Sequence, residues 1–171
     1  YRDLEILNLY RERLEKGYSP EDIMESIYAR GRDNARTPMQ WNNRKNAGFS
    51  EGEPWLPVNP NYEEINAEKA LADPDSVFHY YQKLIALRKE YPVFVHGDFT
   101  LLEEEHPKLF VYRRSWQGDE LLVVCNFSGE ETEITLPEEW STAQVLISNY
   151  DQPGKVLRPW EAAILFRKKP Q

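Results

Sequence analysis

Apolar and polar positions divide the chain into two parts that meet near Tyr91-Pro92. Upstream the apolar residues recur at helical spacing, broken by one long irregular stretch. Downstream they fall in short runs typical of strands. Leu4, Leu7, Tyr10 and Leu14 predict a first helix from the start to about Lys16, with Gly17 as its stop. A second helix begins at Ser19-Pro20-Glu21-Asp22. There the Ser19 hydroxyl can accept from a free first-turn N–H, and Pro20 sits where its missing donor costs nothing. Met24, Ile27 and Tyr28 carry this helix to Gly31. A short helix is expected near Asn66 to Ala72. The strongest one should start at Asp73-Pro74-Asp75-Ser76, with Asp73 as cap and Pro74 in the first helical position. Val77, Tyr81, Leu84, Ile85 and Arg88 then share a face, and Pro92 closes the segment.

Between Arg32 and Tyr62 neither period holds, and Asn, Pro and Gly are frequent. A structureless stretch of this length in a compact domain is either a functional loop or disordered. Trp41, Phe49, Trp55 and Tyr62 argue for order, because disordered segments are poor in aromatics. These rings are expected to anchor the loop.

Past Pro92 six strands are expected: Phe94 to Thr100, Leu109 to Arg114, Glu120 to Asn126, Thr132 to Leu136, Ala143 to Ser148 and Ala162 to Arg167. Gln117-Gly118-Asp119 and Ser128-Gly129-Glu130 read as hairpin turns. So many short strands imply an antiparallel sandwich or small barrel.

Composition narrows the function classes. Hydrophobic residues make up 40% of the chain, ample for a packed core. The net charge of −8, with basic and acidic residues interleaved, disfavours nucleic acid and anionic membranes as partners. No apolar run approaches the roughly 20 residues that span a bilayer. The opening Tyr1-Arg2-Asp3-Leu4 has neither an initiator Met nor signal-peptide character, and reads as an internal point of a longer polypeptide. The single cysteine, Cys125, is expected to be a buried thiol in a strand. The lack of an internal disulfide is compatible with a cytoplasmic location, which is the expectation. His79, His96 and His106 lack metal-ligand spacing, so no metal site is expected. Glu103-Glu104-Glu105 reads as a solvated turn between strands.

The most specific signal is Gly31-Arg32-Asp33-Asn34-Ala35-Arg36-Thr37-Pro38-Met39-Gln40-Trp41. It resembles the segment after the eighth barrel strand in α-glucosidases of the α-amylase family (glycoside hydrolase family 13). That group includes oligo-1,6-glucosidase, dextran glucosidase, trehalose-6-phosphate hydrolase and sucrose isomerase. The resemblance continues in order through Asn46-Ala47-Gly48-Phe49, Pro54-Trp55 and Val58-Asn59-Pro60-Asn61-Tyr62. It goes on through Tyr80-Tyr81-Gln82-Lys83-Leu84-Ile85, Leu121 to Phe127, Leu146 to Tyr150 and Leu157-Arg158-Pro159. Even Tyr1-Arg2-Asp3 is similar to the family, so the resemblance covers essentially the whole chain.

The resemblance implies an α+β fold class. Residues 1–91 would be helices and a long loop from the end of a TIM (β/α)8 barrel, and residues 92–171 an all-β antiparallel Greek-key sandwich. It implies a parent that is a retaining, exo-acting α-glucosidase, using one carboxylate as nucleophile and a second as acid. The family's nucleophile Asp, acid Glu and Asn-His-Asp signatures do not occur in this chain. Catalytic residues are therefore expected to be none, the chain alone inactive, and the rest of the barrel its partner. Calcium, where relatives bind it, is held by an early loop with no counterpart here, so no cofactor is expected. One active-site contribution is implied: Arg36 holding hydroxyls of the terminal glucose together with an acid from an early loop, with Arg32 as second candidate. A planar guanidinium suits both partners. A purely structural ion pair is the other reading of Arg36. Asp33 and Asn34 are expected to brace the loop. Trp41, Phe49, Trp55 and Tyr62 have sugar stacking as their second reading. A carbohydrate-binding β-sandwich is the alternative function; it calls for exposed aromatics in line, whereas Trp116, Trp140 and Trp160 share no spacing. An uncovered half-barrel face, including Val77, Tyr81, Leu84 and Ile85, would leave the fragment prone to self-association.

Overall fold

The computed structural model describes residues 1–150 and 153–168. It comprises two compact units, Tyr1–His79 and Tyr80–Gln171. Its helices are α1 (Leu4–Glu15), α2 (Pro20–Arg30), α3 (Ala67–Ala72), α4 (Val77–Glu90) and α5 (Val93–His96). Its strands are β1 (Asp98–Leu102), β2 (Leu109–Trp116), β3 (Asp119–Asn126), β4 (Thr132–Glu133), β5 (Gln144–Ser148), β6 (Val156–Leu157) and β7 (Ala162–Lys168).

In the first unit α1 starts where Asp3 caps it, its carboxylate accepting from the Glu5 N–H at 2.9 Å. It ends at Gly17, whose φ of +83° leaves the helix in the left-handed region. The expected cap at Ser19 forms, its Oγ accepting from the Asp22 N–H at 3.2 Å, which is worth about 1 kcal/mol. The two helices meet through Ile6, Ile23 and Ile27, with Tyr10 and Met24 packed alongside. The apolar face expected for α1 is only partly the buried one. Leu4, Leu7 and Leu14 are exposed and Ile6 is buried, because the contact with α2 runs through the neighbouring stripe.

The start of α4 also differs from expectation. Residues 73–76 form a turn closed by Ser76 N–H to Asp73 O at 3.1 Å. Asp73 ends α3 and uses its carboxylate on the Asp75 N–H, so the helix begins at Val77 under the Ser76 hydroxyl. None of its residues is fully buried.

The second unit is an antiparallel five-stranded sheet in the order β1-β2-β3-β7-β5, with a two-stranded sheet, β4-β6, facing it. This is a Greek-key sandwich: β3 leaves the large sheet for β4, and β7 returns to pair beside β3. Strand alternation explains the core. Leu122 and Val124 of β3 point to one side and join Val111, Ile134, Trp140, Leu157 and Leu165. Leu121 points to the other side, where Val93 and Phe166 cover it. Both faces of β3 are thus buried, which accounts for its continuous apolar run. The polar residues on the inner face are matched. Glu120 takes a guanidinium from Arg167 (Nε to Oε2, 2.8 Å), and Asn126 donates to Glu130 O and Arg158 O while accepting from Ser128.

The Gln117-Gly118 hairpin forms as expected, with φ of +50° and +87°. Two expectations fail, and one short strand was not expected. Phe94 to His96 belong to α5, started by Pro92, and the strand begins only at Asp98. Ser128-Gly129-Glu130 joins strands of different sheets and makes no hairpin. The β6 segment, two residues long, carries too little pattern to be read in advance. Cys125 is half-buried on the outer face of β3, between Phe110 and Ala162, and burial raises its thiol pKa.

Candidate functional site

The expected substrate arginines lie on a single 3-10 turn, Arg32–Ala35, and its following residue. Gly31 caps α2 and packs too close to Ile27 O for a side chain to fit, which sends the chain directly toward the start of α1. There Asp3 and Asp33 form a pair of buried carboxylates. Asp33 Oδ2 accepts from the N–H groups of Arg2 and Asp3 at 2.6 and 2.9 Å. Asn34 donates to Ile27 O and Tyr28 O. These are the bracing roles expected of Asp33 and Asn34.

Arg32 grips Asp3 at two points, Nε to Oδ2 at 2.7 Å and Nη2 to Oδ1 at 2.8 Å, and Nη2 also lies 3.0 Å from Glu5 Oε2. Arg36 meets the same carboxylate through Nη1 alone, at 3.3 Å, and stands 3.8 Å from Asp33 Oδ1. Among the described residues, Nε and Nη2 of Arg36 make no hydrogen bond. Among the described residues, Asp33 Oδ1 is buried without a hydrogen-bond partner. The fork from Arg32, helped by the Glu5 N–H, holds the Asp3 carboxyl below its ordinary pKa against the cost of burial. The N–H groups of Arg2 and Asp3 do the same for Asp33. The cluster therefore balances two carboxylates with two guanidiniums, one fully engaged and one largely open.

The loop beyond Arg36 is ordered by amide side chains, correcting the expectation for its aromatics. Trp41, Phe49 and Trp55 remain about half exposed. Anchoring falls instead to Asn46, which donates to Ser50 O and Gly52 O, to Asn66, which donates to Tyr62 O, and to Gln40, which donates to Asn61 Oδ1. Pro38, Ala47 and Leu56 are the buried apolar residues here. Asn46, Ala47 and Gly48 all have positive φ (54°, 58° and 68°). Ala47 is an uncommon residue for that region, and strain of this kind collects at ligand-facing loops. The turn aims Ala47 O back at the N–H groups of Trp41 and Asn42. An open groove runs along this loop, bounded by Tyr1, Arg2, Asn46, Trp55 and Pro57.

In the second unit the tryptophans make no platform. Trp140 is buried in the core beneath the Arg167 guanidinium, Trp116 packs on His96, and Trp160 alone is exposed. Among the described residues no three His, Cys, Asp or Glu side chains gather as a metal site requires. His106 spends its Nδ1 accepting from the Lys108 and Leu109 N–H groups, and His96 stacks on Trp116. Glu103, Glu104 and Glu105 lie exposed in the turn after β1.

The α-amylase catalytic-domain family model matches residues 5–97, more than half the chain, and the maltogenic amylase C-terminal domain matches residues 99–153. The chain belongs to the α-amylase family. Within it, the chain is 49% identical to oligo-1,6-glucosidase from Halalkalibacterium halodurans, an alignment covering 98% of this chain and 31% of that protein. It is 52% identical to glucan 1,6-α-glucosidase of Streptococcus pneumoniae, over 94% of this chain and 30% of the relative. The solved structure of trehalose-6-phosphate hydrolase from Bacillus licheniformis superposes with a TM-score of 0.92 at 46% identity, covering 99% of this chain and 32% of that one. The chain thus spans about a third of the length of the curated relatives it matches. As an α-amylase-family chain, it carries the barrel-end segment and the C-terminal β-sandwich, and no helix among its described residues is long and apolar enough to cross a membrane.

The motif brings Arg32, Asp33 and Arg36 together around Asp3. Asp3, the centre of the cluster, lies outside the motif. Its signal was present all the same: an Asp directly before an apolar-periodic helix with Glu5 in the first turn is a capping pattern.

Proposed function

We propose that this chain is the C-terminal part of an exo-acting, retaining α-glucosidase of the oligo-1,6-glucosidase type, acting on short α-glucosides. Residues 1–91 complete the catalytic barrel and residues 92–171 form its appended β-domain. By itself the chain has a structural role and no turnover, its partner being the remainder of the barrel. A cytoplasmic location goes with this reading. The observation that carries it is the folded 31–41 motif, in which Arg36 keeps Nε and Nη2 clear of hydrogen bonds among the described residues while Arg32 is spent on Asp3. An open, permanently charged fork is suited to sugar hydroxyls and a carboxylate together. In the intact enzyme Arg36 holds the non-reducing end of the substrate, and Arg32 supports that site.

The linkage cleaved rests on the high identity to oligo-1,6- and 1,6-glucan glucosidases; the alternative parent is a trehalose-6-phosphate hydrolase, whose fold superposes, or a sucrose isomerase. Amide spectra of the chain with millimolar isomaltose, following the sugar in the same tube, test the proposal. Dispersed amides with neither shifts nor glucose are expected. Shifts without glucose would point to a binding module instead, and glucose accumulating in proportion to protein would overturn the non-catalytic assignment.

A further inference from the structure

We propose that Asp3 is the positioning residue for Arg36, and that Arg32 acts as a clamp that keeps Arg36 from folding down onto Asp3. The functional consequence rests on the sugar-contact reading of Arg36; the positional device does not.

A carboxylate offers about four hydrogen-bond sites. Asp3 has all of them filled. Arg32 Nε and Arg36 Nη1 share Oδ2, and Arg32 Nη2 and the Glu5 N–H share Oδ1. The Arg32 contacts are short, at 2.7 and 2.8 Å, while Arg36 is left with one long contact at 3.3 Å. Paired N–H bonds from one guanidinium are the strongest arrangement a carboxylate can make, and Arg36 lies close enough to make it if Arg32 let go. Asp33 works from the other side. Its Oδ1, buried and without a hydrogen bond, stands 3.8 Å from Arg36 Nη1 and attracts that end of the guanidinium by charge. Arg36 is thereby tethered by one nitrogen between two carboxylates, and Nε and Nη2 stay free for a ligand.

Three features follow from this geometry. Arg32 belongs to the clamp and meets no substrate. Lysine cannot replace it, because a compact ammonium lacks the planar fork that spans both carboxylate oxygens. And losing Arg32 closes the Arg36 fork although Arg36 itself is untouched.

The experiment resolves the arginine Nε–H groups of the whole chain in nitrogen-15 spectra and measures their exchange with water. In the unsubstituted chain the Arg32 Nε–H is expected to exchange about tenfold more slowly than that of Arg36, as a charge-assisted hydrogen bond requires. In Arg32→Gln the Arg36 Nε–H should slow by about the same factor as it takes over Asp3. A general loosening of the turn would speed both, so a gain in protection is the specific sign. Equal protection of the two groups in the unsubstituted chain overturns the proposal, and that comparison needs no variant to fold. So does unchanged Arg36 exchange in Arg32→Gln with its amide spectrum preserved. If Arg36 proves unable to hold sugar in the full enzyme, this exchange pattern is unaffected, so the two readings fail separately.

Discussion

Asp3 and Asp33 are buried carboxylates whose pKa values are depressed in the folded chain, chiefly by Arg32 and by the Arg2 N–H respectively. A depressed carboxylate contributes stability that is fully present above its unfolded pKa of about 3.9 and is lost as pH falls through the lower folded value. The first unit should therefore lose stability on acidification below about pH 4, seen as a falling urea midpoint, and Asp3→Asn should flatten that dependence. Glu161 offers a comparison within the second unit. Burial acts to raise its pKa, but the Arg158 fork and backbone N–H outweigh it and the net direction is downward. Glu161→Ala removes the acceptor of a part-buried N–H along with an ion pair to a fully buried carboxylate. It is expected to cost about 3 kcal/mol in denaturant titration. Cys125, its thiol pushed up by burial, should react with iodoacetamide at pH 8 far more slowly folded than in urea.

At the scale of elements, β3 is the centre of the sandwich. Leu122 is fully buried in the inner core, and Leu122→Ala should cost about 3 kcal/mol, read from the urea midpoint of the second unit. The β2–β3 hairpin gives a smaller, purely conformational effect. Gly118 has φ of +87° and open space where a Cβ would lie, so Gly118→Ala should cost about 1 kcal/mol without any clash. Gly48 is the contrasting case. It too has positive φ, but a Cβ there would sit 2.6 Å from the Asn42 side-chain amide, which would have to shift.

For the whole molecule, the exposed apolar residues carry the argument. Val77, Tyr81 and Ile85 of α4 are 85, 63 and 44% exposed, and Leu4, Leu7 and Leu14 lie open on α1. Under the proposed function these surfaces belong against the rest of the barrel. Left uncovered, they make the chain prone to associate with itself. Sedimentation at increasing concentration should show assembly, and Val77→Glu with Tyr81→Glu should reduce it. A monomer at all concentrations would remove that expectation.

Local chemistry was legible in the sequence wherever a few neighbouring residues decide the outcome. The caps at Ser19 and Gly17, the Gln117-Gly118 hairpin, most of the strands and the 31–41 motif all belong to this class. Such features rest on hydrogen bonds and φ preferences within a few residues, which composition and spacing expose directly. The rest depended on contacts far apart in the chain. Which stripe of α1 is buried depends on α2, the start of β1 on the packing of Val93 against Leu121, and the strand beside β4 on residues 24 positions later. The same holds for the site. The sequence ranked Arg36 ahead of Arg32 only through the family resemblance, whereas tertiary structure gives the two different surroundings by bringing Asp3, some 30 residues away, within reach of both. One carboxylate cannot satisfy two forks at once.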